Sequence, residues 1–314
     1  MSLRRAVAAL GLLGLAAGPA QAEGPAFAVV SQAGAAVSFL TASGQIDGEA
    51  VAIDDGPASI AAGPDGHTLY VAHPDRARIT VVDAVTRTVT EKFNIAGSPF
   101  GAAATDTEVY ATDWAGGKLV KIDALTGAST GSVAIGKAPA GLALDVKHSR
   151  AYSANRESDS VSVVDLKTMT AREIKVGRAP FALGLSPDGA RLFVANVRSG
   201  DLSVIDVLKD VEIARVPVGR MPYGVAVTPD GERIAVTLQE EAALVLLDAA
   251  TLEQGGRAKV GKYPEGVAIS HDGRTAAVAN WFDDTVSLVD LATMKALPPV
   301  ATPKGPRNIA TLAP

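Results

Sequence analysis

With 314 residues, 47% of them hydrophobic, the chain has ample apolar mass for a large core, organised either as one repeat array or as two ordinary domains. Its formal net charge of −5 argues against coating nucleic acid through bulk electrostatics, which needs a strong basic excess. No cysteine occurs, which excludes disulfides, thiol nucleophiles, thiolate metal sites and haem held covalently through paired cysteines.

The chain opens on Arg4 and Arg5, an apolar run over 6–17 and a small-residue cleavage pattern, Ala20-Gln21-Ala22. Residues 1–22 read as a signal peptide and 23–314 as the mature protein, periplasmic or secreted. The residues around the paired arginines fit general secretion better than twin-arginine export. No later stretch approaches the ~20 apolar residues of a spanning helix, so the mature chain is expected to be soluble and without a membrane span; separately, a monomer is expected.

From there one proline recurs in a common setting: Pro57, Pro99, Pro139, Pro180, Pro222, Pro264 and Pro306, with successive spacings of 42, 40, 41, 42, 42 and 42. Two unrelated domains would have no reason to keep that period, whereas an array of seven supersecondary units does. Each unit begins with an alternating apolar strand after the proline, clearest in Pro222-Tyr223-Gly224-Val225-Ala226-Val227. A tight reversal follows, as at Pro64-Asp65-Gly66, Pro187-Asp188-Gly189, Pro229-Asp230-Gly231 and His271-Asp272-Gly273, and then a second strand such as 192–196. The third strand ends on Asp83, Asp123, Asp165, Asp206, Asp248 or Asp290, mostly with threonine three residues on. That pairing is the mark of an Asx-type turn, in which the carboxylate satisfies backbone N–H groups as the chain enters strand four.

Four short antiparallel strands, seven times over, with no helical period, predict an all-β fold: a seven-bladed β-propeller of four-stranded antiparallel blades. The ends fit this reading. Residues 26–53 supply three strands matching the second to fourth of a unit, and 306–312 supply a lone first strand. Together they make the last blade, closing the ring and removing exposed sheet edges.

The second strands carry the tetrapeptides Tyr70-Val71-Ala72-His73, Tyr110-Ala111-Thr112-Asp113, Tyr152-Ser153-Ala154-Asn155, Phe193-Val194-Ala195-Asn196 and Ala277-Val278-Ala279-Asn280, while Ala235-Val236-Thr237-Leu238 departs from them. In this the mature chain resembles the YVTN-repeat β-propeller family throughout its length. The resemblance implies the propeller and leaves the activity open, since related propellers include binding proteins, lactonases, lyases and haem-carrying reductase domains.

Because strands alternate in direction, the start of strand one and the end of strand two share a face. One ring there is Ser31, His73, Asp113, Asn155, Asn196, Leu238 and Asn280; the other follows the prolines near the channel mouth, Phe100, Ala140, Phe181, Tyr223, Glu265 and Arg307. Lys137, Arg178, Arg220, Lys262 and Lys304 from the turns before the prolines, with Arg156 and Arg198 after strand two, make this face basic in an acidic protein. Trp114 and Trp281-Phe282 follow the ring residues Asp113 and Asn280, and tryptophan beside cations suits a binding hot spot.

The asparagines read as caps on the loops after strand two, as ligand contacts, or as oxygen ligands of a hard cation. On the last reading Asp113, Asn196, Glu265 and Asn280 resemble the sparse oxygen set of calcium-dependent lactonase propellers. His67, His148 and His271 fall on the opposite face, and no phosphate loop, histidine pair or nucleophile elbow occurs. The favoured expectation is a non-catalytic binding or scaffold propeller without a cofactor. It would recognise an anionic small molecule, an anionic polymer or an acidic protein through Phe100, Trp114, Arg156, Arg178, Phe181, Arg198, Arg220, Tyr223, Lys262, Trp281 and Arg307. The alternative is a divalent-metal-dependent lactonase-like hydrolase or lyase, with calcium at the channel mouth.

Overall fold

A computed structural model describes residues 24–313; the expected signal peptide lies outside the described residues. Seven antiparallel sheets follow one another around a ring. Blade 1 comprises Ser59–Ala62, Thr68–His73, Arg78–Asp83 and Thr88–Asn94, and the same plan recurs in blades 2 to 6, whose inner strands begin at Pro99, Pro139, Pro180, Pro222 and Pro264, except that the outer strand of blade 6 is split into Lys295–Ala296 and Val300–Ala301. Blade 7 takes its inner strand, Pro306–Thr311, from the C-terminal end and its outer three, Phe27–Ser31, Ala36–Leu40 and Val51–Ala52, from the N-terminal end. The closing register pairs Phe27 with Thr311 and Ala28 with Ala310. Among the described residues the only helices are three single 3-10 turns.

The strands alternate as the sequence predicts, yet their second and third members are buried on both faces, because each blade is sandwiched between two others. The core accordingly splits into seven apolar clusters, one at each blade-to-blade interface. The cluster joining blades 4 and 5 brings Phe193, Leu202 and Val204 against Ile234, Val236 and Leu247. The seam at the chain ends is built alike: Val30, Val37 and Phe39 of blade 7 meet Leu69, Val71 and Val82 of blade 1. Arginines at the start of strand two rivet neighbouring blades by donating to a carbonyl in the next Asp turn, Arg150 to Val207 at 2.8 Å, Arg233 to Leu291 at 2.9 Å, and Arg191 to Ala249.

Those turns form as their sequence requires. The Oδ1 of Asp165 accepts from the N–H groups of Lys167 and Thr168, both at 2.9 Å, and Asp83, Asp123, Asp206, Asp248 and Asp290 repeat the arrangement.

Candidate functional site

The channel mouth is shaped by a bulge in the inner strands. In blades 2 to 6 the pairing with strand two jumps from the proline to the residue three places on: Pro99 faces Asp113 and Ala102 faces Ala111. The two residues between leave the ladder, the first turning into the channel and the second remaining small in most blades. All seven blades line the resulting hollow, through pairs such as Phe100-Gly101, Phe181-Ala182, Tyr223-Gly224 and Arg307-Asn308. Gly141 shows why small residues recur, since a Cβ there would stand 2.5 Å from the carbonyl oxygen of Phe181 in the next blade. Threonines lock two of these close approaches: Thr112 Oγ1 accepts from Gly101 N–H at 2.8 Å and donates to Ala140 O at 3.0 Å, and Thr237 links Gly224 to Glu265 O in the same way.

Aromatic rings form a continuous wall on one side of the mouth. Trp114 packs on Phe100 with centroids 4.7 Å apart, Phe100 meets Phe181 edge-on at 5.8 Å, and Phe181 lies 4.0 Å from Tyr223. Arg307 closes the circuit, its guanidinium 5.4 Å from the Phe100 centroid and 5.7 Å from that of Trp281. Its Nη2 makes a long 3.5 Å contact with the Tyr223 hydroxyl, and its Nε stands 3.4 Å from Glu265 Oε2. Glu265 is only 6% exposed. Gln239 donates to its Oε1 at 3.4 Å, while Oε2 has no hydrogen-bond donor among the described residues. Burial therefore pushes the carboxyl up to about 7, against the pull of Arg307. Burial, reinforced by the Glu265 charge, also raises the Tyr223 phenol, so it stays protonated.

The ring at the end of strand two does not present itself on the face as the sequence suggested. Asn155, Asn196, Asn280, His73, Leu238 and Ser31 are fully buried, because the turn entering each blade folds back over them. Asn196 Nδ2 donates to Asp201 Oδ1 at 2.7 Å and Ser203 Oγ at 2.8 Å, Asn155 to Ser160 and Ser162, and Asn280 to Thr285 and Ser287. Asp113 Oδ1 accepts from Ser98 N–H at 2.8 Å and Gly116 N–H at 3.0 Å. His73 donates from Nδ1 to Asp55 O at 3.1 Å, and burial lowers its pKa. Asp113, Asn196, Glu265 and Asn280 are thus held apart by separate partners and form no common donor set, so the residues present do not fit a calcium site. No group of three or more His, Asp or Glu side chains placed to hold a metal occurs among the described residues.

The basic rim is also less uniform than the sequence suggested, because the loops after strand two bring acids to it. Arg156 and Arg198 share Glu157, at 2.6 and 3.1 Å; Arg220 lies 3.7 Å from Glu240 and 3.9 Å from Glu241; Lys262 lies 3.8 Å from Asp283. Arg178 differs: it is exposed and meets no carboxylate among the described residues. Arg156, Arg178, Arg198 and Arg220 line one groove of about 660 Å³ between blades 3, 4 and 5, whose acidic lining residue is Glu240.

A family model described as YNCE-like beta-propeller matches residues 118–313. The chain belongs to the YNCE-like beta-propeller family. Among solved structures, this YNCE-like propeller is similar to Kuenenia stuttgartiensis hydrazine synthase, with 20% identity, a TM-score of 0.73, and coverage of 81% of this chain and 89% of that one. It is also similar to a functionally unknown protein from Desulfotomaculum acetoxidans DSM 771, at 14% identity and a TM-score of 0.81, covering 92% of this chain and 99% of that one. At these identities the likeness shows the fold alone. No curated protein sequence matches the chain.

The YNCE-like propeller brings the sequence-derived residues together as two groups. Phe100, Phe181, Tyr223, Arg307, Trp114 and Trp281 converge at the mouth, the tryptophans half-buried as packing partners, while Phe282 is the exposed ring at 66%. Arg156, Arg178, Arg198 and Arg220 form the rim groove, and Lys262 is tied to Asp283 in another blade. Sequence reasoning missed Gln239 and the rim acids. A signal was available: three residues past the end of strand two stands Ser158, Ser199, Glu241 or Asp283, and this side chain accepts the backbone N–H of Lys137, Arg178, Arg220 or Lys262 respectively. Serine there leaves the cation's charge uncompensated, whereas an acid also neutralises it.

Proposed function

We propose that this is an exported, non-catalytic binding propeller whose proline-side face takes an anionic ligand in the rim groove. The observation that supports the reading is the convergence of Arg156, Arg178, Arg198 and Arg220 on one groove, with Arg178 free of any carboxylate among the described residues. Four guanidiniums against Glu157, Glu240 and Glu241 leave a positive local field in an acidic chain, and planar, fork-like donors suit phosphate, sulfate or carboxylate oxygens. Export rests on the N-terminal sequence pattern alone.

The test uses inorganic tripolyphosphate and a polyglutamate peptide as probes in titration calorimetry. The double variant Arg178→Glu/Arg198→Glu should keep the fold by circular dichroism and lose binding, and added salt should weaken the unmodified protein's affinity. Binding of neither probe, or unchanged binding by the variant, would overturn the proposal. Cell fractionation reads the export expectation separately, and a cytoplasmic pool of full-length chain would refute it.

A further inference from the structure

The channel mouth differs chemically from the rim groove and lies in a separate hollow. Its wall is aromatic, and its charged lining group is Arg307, whose side chain is 17% exposed. That guanidinium has five N–H donors, but its contacts here are the long one to Tyr223 and the 3.4 Å approach to Glu265. It is a cation with spare donors at the edge of an apolar well. The hollow has a volume of only about 70 Å³. That is about half the ~150 Å³ of a cavity that encloses benzene, so a ligand ring rests against the aromatic wall with one side open to the face. Phe100, Phe181 and Tyr223, packed side by side along that wall, supply faces and edges for such a ring.

We propose that the channel mouth binds a small aromatic carboxylate, its ring resting against the wall of Phe100, Phe181 and Tyr223 and its carboxylate paired with the Arg307 guanidinium. This goes beyond the rim-groove reading and does not depend on it. Binding has a built-in proton partner. The groups facing Glu265 are Arg307 from blade 7 and, from blade 5, Gln239 and Tyr223, of which Arg307 alone brings a positive charge to favour its ionised form. A ligand carboxylate that takes up the Arg307 charge removes that support and adds a negative charge nearby, so Glu265 takes a proton from solvent as the ligand docks. Affinity consequently rises as the pH falls through neutrality, for as long as the ligand itself stays ionised.

The experiment titrates the mature protein with benzoate, benzamide and cyclohexanecarboxylate, following tryptophan fluorescence. Both tryptophans of the chain adjoin the well, Trp114 through Phe100 and Trp281 through Arg307. Benzoate should bind at least about tenfold more tightly than benzamide, which lacks the charge, and than cyclohexanecarboxylate, which lacks the flat ring. Arg307→Met should abolish the preference over benzamide, and Phe181→Ala should weaken benzoate while leaving Arg307 in place. Calorimetry at pH 7 in two buffers of different ionisation enthalpy should show proton uptake in the unmodified protein and none in Glu265→Gln. Arg178→Glu should leave the benzoate response intact, which separates this site from the rim groove. No saturable response to benzoate, equal binding of benzamide, or an unchanged Arg307→Met variant would each overturn the proposal.

Discussion

Asn196 invites a swap that the chain has already made elsewhere. It ends strand two of blade 4 with Asp201 and Ser203 as partners, whereas the corresponding residues of blade 5 are Leu238, Ala243 and Val245. Asparagine and leucine are nearly isosteric, and both sit under the turn glycine: a Cβ on Gly177 would stand 2.5 Å from Asn196 Nδ2, and one on Gly219 would stand 2.5 Å from Leu238 Cδ1. Asn196→Leu alone removes one neutral and one charge-assisted hydrogen bond, at about 1 and 2 kcal/mol, so about 3 kcal/mol in all. Ser203 Oγ keeps the Gly177 N–H at 3.3 Å and Asp201 keeps the Ser199 hydroxyl at 3.1 Å, so the loss is bounded. The triple variant Asn196→Leu/Asp201→Ala/Ser203→Val replaces the polar trio by apolar groups of matching placement and should return to within about 1 kcal/mol of the parent. At about 2 °C per kcal/mol for a protein of this size, thermal unfolding should show a drop of about 6 °C for the single variant and within about 2 °C for the triple. A triple variant less stable than the single one, or a silent single variant, would refute the view of this ring as interchangeable buried stitching.

Gly141→Ala should cost at least about 2 kcal/mol, because its Cβ meets the Phe181 carbonyl, while Gly131→Ala, with nothing within 4 Å, should stay within about 0.5 kcal/mol by urea midpoint. The six Asp-turn carboxyls titrate below the ordinary aspartate value of 3.8 when folded, Asp165 chiefly through the Thr168 N–H. Their stabilisation is complete above that value and lost as the pH falls through the lowered folded values, so melting temperature should drop steeply below pH 4, and less steeply in Asp165→Asn. Glu265 has the opposite sign: its folded pKa is raised from 4.5 to about 7, so its contribution is complete below 4.5 and lost as the pH rises through 7. Glu265→Gln should therefore match the parent near pH 5 and exceed it at pH 8 by up to about 3 kcal/mol, and equal melting at both pH values would refute the raised carboxyl.

Much of the fold was legible because the repeat is punctuated by residues with obligatory backbone roles. Proline opens the inner strand of six blades and stands two residues before that of blade 1, and aspartate N–H acceptance shapes the turn from strand three to strand four, so spacing alone yielded seven blades and the two-ended closure. Of the residues placed after the prolines at the channel mouth, Phe100, Ala140, Phe181, Tyr223 and Arg307 line the hollow there, whereas Glu265 is buried. What alternation could not show is that the turn before the next strand covers the strand-two ends, turning Asn155, Asn196 and Asn280 from face residues into buried struts. Comparing the units with one another would have hinted at this, since each of these asparagines is followed seven residues on by serine, and Leu238 by valine. The rim acids were overlooked for a different reason: Glu157, Glu240, Glu241 and Asp283 are unremarkable loop residues until folding folds them back onto the cations.

The bulge beside the axis separates two jobs that most proteins must solve with the same atoms. Backbone carbonyls and small residues set the bore of the passage, and seven apolar interfaces away from it hold the blades together. In six blades one side chain is left to decide what the opening offers, and Ala58, Phe100, Ala140, Phe181, Tyr223 and Arg307 spell out a six-letter code, with Glu265 of the remaining blade buried behind it. Rewriting a letter alters the chemistry of the entrance without disturbing the masonry around it, so a scaffold of this kind can acquire new ligands by single substitutions.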